Sequence, residues 1–125
     1  MFDHVSIGVA DLERARKFYD QALEPLGYTR LSNSDNWVGY GAEHPQFWIK
    51  PAARPVVPDI ESGLHFCFVA KSEDAVRSFH ANGIANGGTD NGEPGLRPEY
   101  GSFYYAAFMI DPDGYRIEAF FHRPE

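Results

Sequence analysis

From Asp3 to Val9 the chain alternates, with Val5, Ile7 and Val9 on one side and His4, Ser6 and Gly8 on the other, the period of a half-buried strand. Asp11 follows as a candidate helix cap. Leu12, Ala15, Phe18 or Tyr19, Ala22 and Leu26 then recur at helical spacing, with Glu13 in the first turn, where the helix dipole favours an acid. Pro25 and Gly27 predict the helix end. Short apolar runs at 28–31, 37–40 and 47–50 are broken by "SNSDN" and "GAEHPQ", both turn compositions. Residues 1–50 therefore read β-α-β-β-β.

Residues 51–63 carry Pro51, Pro55 and Pro58 with little periodicity and read as a linker. A second strand is predicted over 64–70, then a helix capped by Ser72, with Glu73 and Asp74 in its first turn, apolar Ala75, Val76 and Phe79, and an end at Gly83. The segment "NGGTDNGEPGLRPEYG" is expected to be a loop, followed by strands at 103–110 and 115–122 joined by the turn "DPDG". This half repeats the first at a constant offset of 61 positions: His65 falls on His4, Val76 on Ala15, Phe79 on Phe18, Ile84 on Leu23 and Gly88 on Gly27. The expectation is one α+β domain over 1–125, with module one at 1–50, the linker at 51–63 and module two at 64–122. A pseudo-two-fold axis would relate two β-α-β-β-β modules, whose faces away from the helices form a cupped, mostly antiparallel sheet around a cavity.

A chain of 125 residues can bury a real core without staples. Eighteen acidic against eleven basic residues give a net charge of −7, which repels phosphate backbones and acidic membranes and leaves small molecules and proteins as partners. A single cysteine, Cys67, cannot form an internal disulfide, and no basic and apolar leader begins the chain, so the cytoplasm is expected. No apolar run approaches the roughly 20 residues that span a bilayer.

Alternation also selects the chemistry. If the apolar positions pack under the helices, His4 from the first strand, His65, Cys67 and Val69 from the second module's first strand, and Arg116, Glu118, Phe120 and His122 from the last strand face the cup. A lone strand histidine is more often structural, but packing alone does not require imidazole at both equivalent positions of a repeat. Glu118 is costly in an apolar strand unless paired or coordinated. Two imidazoles and a carboxylate with open positions suit non-haem Fe(II), and also Mn, Ni, Co or Zn. Arg97 could present a bidentate fork to an anion, and Tyr100 and Tyr105, ahead of Tyr104, offer hydroxyls to an oxyanion. Cys67 reads as small filler and His122 as a plain surface residue. The glycine-rich segment lacks the strand and helix placement of a phosphate cradle.

The stretches "DHVSIGVADLERARKFYDQALEPLGY", "GLHFCFVA" and "YYAAFMIDPDGYRIEAF" together resemble the vicinal oxygen chelate superfamily of glyoxalase I, extradiol dioxygenases, and fosfomycin- and bleomycin-resistance proteins. The resemblance covers nearly the whole chain, and its most specific part is the "DPDG" turn followed by Ile117 and Glu118. It implies a divalent metal held by His4, His65 and Glu118, with Glu118 also catalytic. A substrate would bind through vicinal oxygens and be stabilised as an oxyanion or enolate. Trp48 falls where glyoxalase I has an extra glutamate, with Lys50 the competing occupant, which leaves a three-ligand pattern and implies weak hemithioacetal isomerisation. Trp48, and Ser6 beside His4, join Arg97, Tyr100 and Tyr105 as substrate-binding candidates. The alternative implied is a metal-free, bleomycin-resistance-type sequestering protein using Trp37, Trp48 and the tyrosines. Modules of this family pair within or between chains, and a homodimer is expected.

Overall fold

The computed structural model describes residues 1–125. Strand β1 (Val5–Val9) runs into helix α1 (Leu12–Leu23), where Asp11 accepts the Arg14 N–H at 3.1 Å and so satisfies one of the helix's free donors. Pro25 sits in a short 3-10 turn, and Gly27, at φ 87°, makes the left-handed exit that a side chain would oppose. Strands β2 (Thr29–Asn33), β3 (Val38–Gly41) and β4 (Phe47–Pro51) complete module one. Module two contains β5 (His65–Val69), α2 (Glu73–Ala85) capped by Ser72, β6 (Thr89–Leu96), β7 (Tyr104–Ile110) and β8 (Arg116–His122).

The two sheets have equivalent orders, β1-β4-β3-β2 and β5-β8-β7-β6. In each, the module's first and last strands pair in parallel and the other pairs are antiparallel. The α+β class and the repeat are as expected. Mostly antiparallel pairing is also as expected, and the strands divide into two four-stranded sheets, one per module. The segment expected to be a loop contributes an edge strand, β6. Its pairing with β7 slips between Asp90 and Gly92 and again between Gly92 and Gly95, and the bulged edge tolerates the glycines and Pro94 that hid the strand.

Both helices bury the predicted stripes: Ala15, Phe18 and Tyr19 in α1, and Val76 and Phe79 in α2. Each such aromatic contributes about 1.5–3 kcal/mol relative to leaving it exposed. The modules join where α1 packs on α2 and where Phe47 of β4 meets Phe68 and Phe66 at centroid distances of 5.2 and 6.1 Å.

The "DPDG" turn adds a polar clasp. Asp111 Oδ1 accepts the N–H groups of Asp113 and Tyr115, both at 2.9 Å, while Tyr19 donates to its other oxygen at 2.5 Å. Asp113 accepts from Ala10 N and Arg14 Nη2, and Tyr115 donates to Gly8 O. Burial raises the Asp111 carboxyl above its ordinary value, and the three donors pull it back only in part.

Candidate functional site

Cross-strand partners share a face of a sheet, and this rule assembles the site. Cys67 of β5 lies opposite Glu118 of β8, and Glu118 lies opposite Phe108 of β7. His65, two residues before Cys67, shares that face, as does Tyr104, four before Phe108. The sequence reading of His65, Cys67 and Glu118 as facing together is what is found.

His65 Nε2–H donates to Glu118 Oε1 at 2.7 Å, and Tyr104 donates to Oε2 at 2.5 Å. Glu118 is only 4% exposed, so each oxygen needs a partner and has one. Burial, then Glu118, raises the Tyr104 hydroxyl well above its ordinary value, so it is a donor at neutral pH. The Cys67 residue is exposed, but its sulfur is turned in among these groups. Burial, then the charge of Glu118, pushes the thiol up to about 12, which rules it out as a nucleophile at neutral pH.

His65, Tyr100, Tyr104, Phe108 and Glu118 line a cavity of about 430 Å³. A larger one, about 560 Å³, lies between the modules, walled by Val5, Tyr28, Phe47, Phe66 and Phe68 and reaching His65.

The other predicted residues are dispersed. His4 hydrogen-bonds Asp3 through Nδ1 at 2.8 Å, and it does not converge with His65 and Glu118 within one chain. Strands β1 and β5 belong to different sheets, and the modules join through their helices and Phe47. Ser6 lies opposite Trp48 in β1/β4, as Cys67 lies opposite Glu118 in β5/β8. Trp48 is thus the module-one equivalent of Glu118, and Lys50, opposite Gly8, sits two residues beyond.

Tyr105 corrects another expectation. It points to the helix side of β7, is 8% exposed, and accepts from Arg77 of α2 at 3.0 Å, because strand alternation gives the site face to Tyr104 instead. Tyr100 lines the smaller cavity. Arg97 reaches only its edge: the guanidinium lies 5.2 Å from the Phe108 centroid, and Nη2 donates to Glu93 O at 2.5 Å, which uses part of the fork proposed for an anion. His122 is at the exposed end of β8, and Trp37 donates to Ser32 on the module-one hairpin.

One cluster was not anticipated. His80 of α2 and Asp90 and Glu93 of β6 bring ligand atoms within 4.8 Å of one another, and these three could hold a metal ion. His80 is buried and bonds Asp90 at 2.8 Å. The Gly92 N–H, then His80, hold the Asp90 carboxyl below its usual value, and the nearby Arg97 charge, which adds to this, opposes a cation. Recognising β6 as a strand under α2 is the signal that would have found it.

The metal that the sequence implies needs donor atoms at a set spacing. With bonds of about 2.0–2.2 Å, neighbouring ligands of one ion sit about 3 Å apart, close to the His65–Glu118 separation. One imidazole and one buried carboxylate oxygen beside a cavity fit two positions of such a site.

The sequence profile of the glyoxalase/bleomycin resistance protein/dioxygenase superfamily matches residues 1–119. The chain belongs to this superfamily. It is 32% identical over 123 residues to a lactoylglutathione lyase of Escherichia coli O157:H7, covering 92% of this chain and 87% of that one, and to the same degree and extent to one from Salmonella typhimurium. A crystal structure of a glyoxalase/bleomycin resistance protein from Albidiferax ferrireducens T118 superposes with a TM-score of 0.84 at 38% identity, covering 99% of each chain. Kinship with lyases supports an enzyme of the glyoxalase superfamily over the sequestering alternative. No helix is long and apolar enough to cross a membrane.

Proposed function

We propose that this superfamily member works in the cytoplasm as a homodimer whose metal site is shared between subunits. His65 and Glu118 of one chain would join His4 of the partner subunit around a divalent ion, with Fe, Mn, Ni, Co and Zn all suited to that donor set. Such an ion supplies Lewis acidity to two adjacent substrate oxygens and stabilises negative charge developing on them. The protein's own contribution is positional. Glu118 and His65 present the ligand atoms, Phe108 and Tyr100 wall the space where a substrate would lie, and Arg97 guards its edge.

The observation that carries this reading is the buried contact of Glu118 with His65 beside a cavity, while Trp48 stands at the equivalent position in module one. Without a second carboxylate at position 48, the proton-transfer base most natural for hemithioacetal isomerisation is missing. The proposed reaction therefore uses another oxygen-rich substrate.

Complementation between variants tests the shared site. His4→Ala and Glu118→Gln homodimers should each lose tight metal binding. Co-refolded mixtures should regain it in the heterodimers, which combine one intact His4 with one intact His65–Glu118 pair. Light scattering that shows only monomer, or mixtures as empty as either parent variant, would refute the shared site. Robust hemithioacetal turnover by the metal-loaded parent would refute the proposed reaction.

A further inference from the structure

Glu118 has two carboxylate oxygens, and the chain treats them differently. Oε1 faces the half-exposed His65 imidazole, whereas Oε2 accepts the hydroxyl of Tyr104. Tyr104 lies four residues from Phe108, the cross-strand partner of Glu118, and is itself paired with His122 at the far end of β8. Its side chain must therefore lie along the sheet to reach the carboxylate. It is held in that posture from two sides: its ring stacks on Phe120 with centroids 4.5 Å apart and planes at 26°, and Tyr100 packs against it at 5.3 Å. Phe108, with its ring 6.0 Å from that of His65, fills the sheet position across from Glu118.

A phenol clamped between aromatic rings holds its hydrogen bond in a fixed direction, and a bond to an ionised acceptor is stronger than one between neutral groups. Nothing in module one reproduces this arrangement, since the position of Glu118 is there taken by Trp48. The hydroxyl therefore serves the carboxylate specifically.

We propose that Tyr104 is a positioning residue for Glu118: it occupies Oε2, so that the carboxylate offers Oε1 alone beside His65 and is kept from swinging off the strand face. This rests on His65 and Glu118 being metal ligands. Its consequence is a carboxylate that acts as a fixed, one-oxygen ligand rather than as a mobile proton carrier. Partners that orient metal ligands through hydrogen bonds are typically worth about 10–100-fold in metal affinity, and the loss of one should also change the ligand field.

The experiment is Co(II) titration of the full-length protein, with affinity measured by chelator competition and geometry by the visible absorption of bound Co(II). Tyr104→Phe keeps the ring and its stacking. It should bind Co(II) about 10–100-fold more weakly, with an altered spectrum and a metal-free melting curve close to the parent's. Tyr105→Phe, on the same strand but facing α2, should bind like the parent. Parent-like affinity and spectrum in Tyr104→Phe, while Glu118→Gln loses Co(II), would overturn the positioning role and leave the metal site standing. Unchanged binding in Glu118→Gln and His65→Ala would overturn both, and an equal loss in Tyr105→Phe would reveal a general effect on the sheet and overturn the assignment. If Tyr104→Phe does not fold, 3-fluorotyrosine at position 104 retains the bond with a stronger donor and should shift the Co(II) spectrum; an unshifted spectrum overturns the role.

Discussion

Two sheets with one backbone plan carry opposite side chains on equivalent positions. In module two the row Cys67, Glu118, Phe108 crosses β5, β8 and β7, and in module one the corresponding row across β1, β4 and β3 is Ser6, Trp48, Gly39. The aromatic volume has changed strands. Where Phe108 stands beside a short carboxylate in module two, the Trp48 ring in module one lies over Gly39, so closely that a Cβ there would come within 2.8 Å of two ring carbons. A duplicated scaffold can thus place an ionisable group on one sheet and a solid apolar cover on the other without altering strand order or register. Which half carries chemistry is decided by how the same space is divided between neighbouring side chains.

The connecting turns differ in the same uneven way. In module two, buried Asp111 gathers Tyr19 and two backbone N–H groups, tying the modules together, whereas Glu43, in the turn between β3 and β4, is exposed and makes no hydrogen bond. Replacing Asp111 with Ala should have the largest effect on stability. Leaving buried donors unsatisfied costs about 1–3 kcal/mol each, so a loss of about 3–5 kcal/mol is expected in urea unfolding, against less than about 0.5 kcal/mol for Glu43→Ala. Equal losses at the two turns would end the claim that module two's turn is the clasp.

The same carboxyl gives a pH test of smaller size. Because burial raises its folded pKa above the ordinary 3.8, Asp111 binds its proton more readily in the folded state. Its contribution is fully present below the unfolded value and is lost as pH rises through the folded one. The stability gap between the parent and Asp111→Asn should therefore be wider near pH 4 than at pH 7. A gap that narrows on acidification would mean that the three hydrogen bonds outweigh burial.

Much of this was legible in the amino-acid sequence. The 61-residue offset between His4 and His65 anticipates two equivalent helices, because Ala15, Phe18, Val76 and Phe79 are core positions whose spacing is set by the helix itself. The faces of His65 and Glu118 were legible for a similar reason: their neighbours Ile117, Phe66 and Phe68 have only one apolar side to occupy. Three things were not. The edge strand β6 is built from glycines and a proline that an interior strand would reject, so composition pointed to a loop. The choice between Tyr104 and Tyr105 was hidden because β7 is apolar on both faces, and only its register with β8 shows which hydroxyl reaches Glu118. Whether His4 joins His65 and Glu118 within one chain depends on how the modules dock, a long-range matter that no local pattern encodes, and the three do not converge there.

The smallest effect is also the sharpest test of the comparison between rows. If Trp48 and Gly39 divide one space as Glu118 and Phe108 divide another, exchanging both should be milder than exchanging either. Gly39→Phe alone drives a side chain into the Trp48 ring, and overpacking of this kind costs about 1–3 kcal/mol. Trp48→Glu alone strips the apolar cover from β3 and leaves a carboxylate with no Phe beside it. Together they copy the Glu118–Phe108 row into module one, where the backbone already has the matching register. The double variant should therefore be less destabilised than the sum of the singles, by about 1 kcal/mol or more, within the range seen for residues in contact. Urea midpoints of the four proteins measure that coupling directly. Simple additivity would mean that the rows are alike in geometry but not in packing, and that Trp48 is more than a cover for Gly39. A positive coupling accompanied by new hemithioacetal isomerisation in the metal-loaded double variant would tie that reaction to a second carboxylate at position 48.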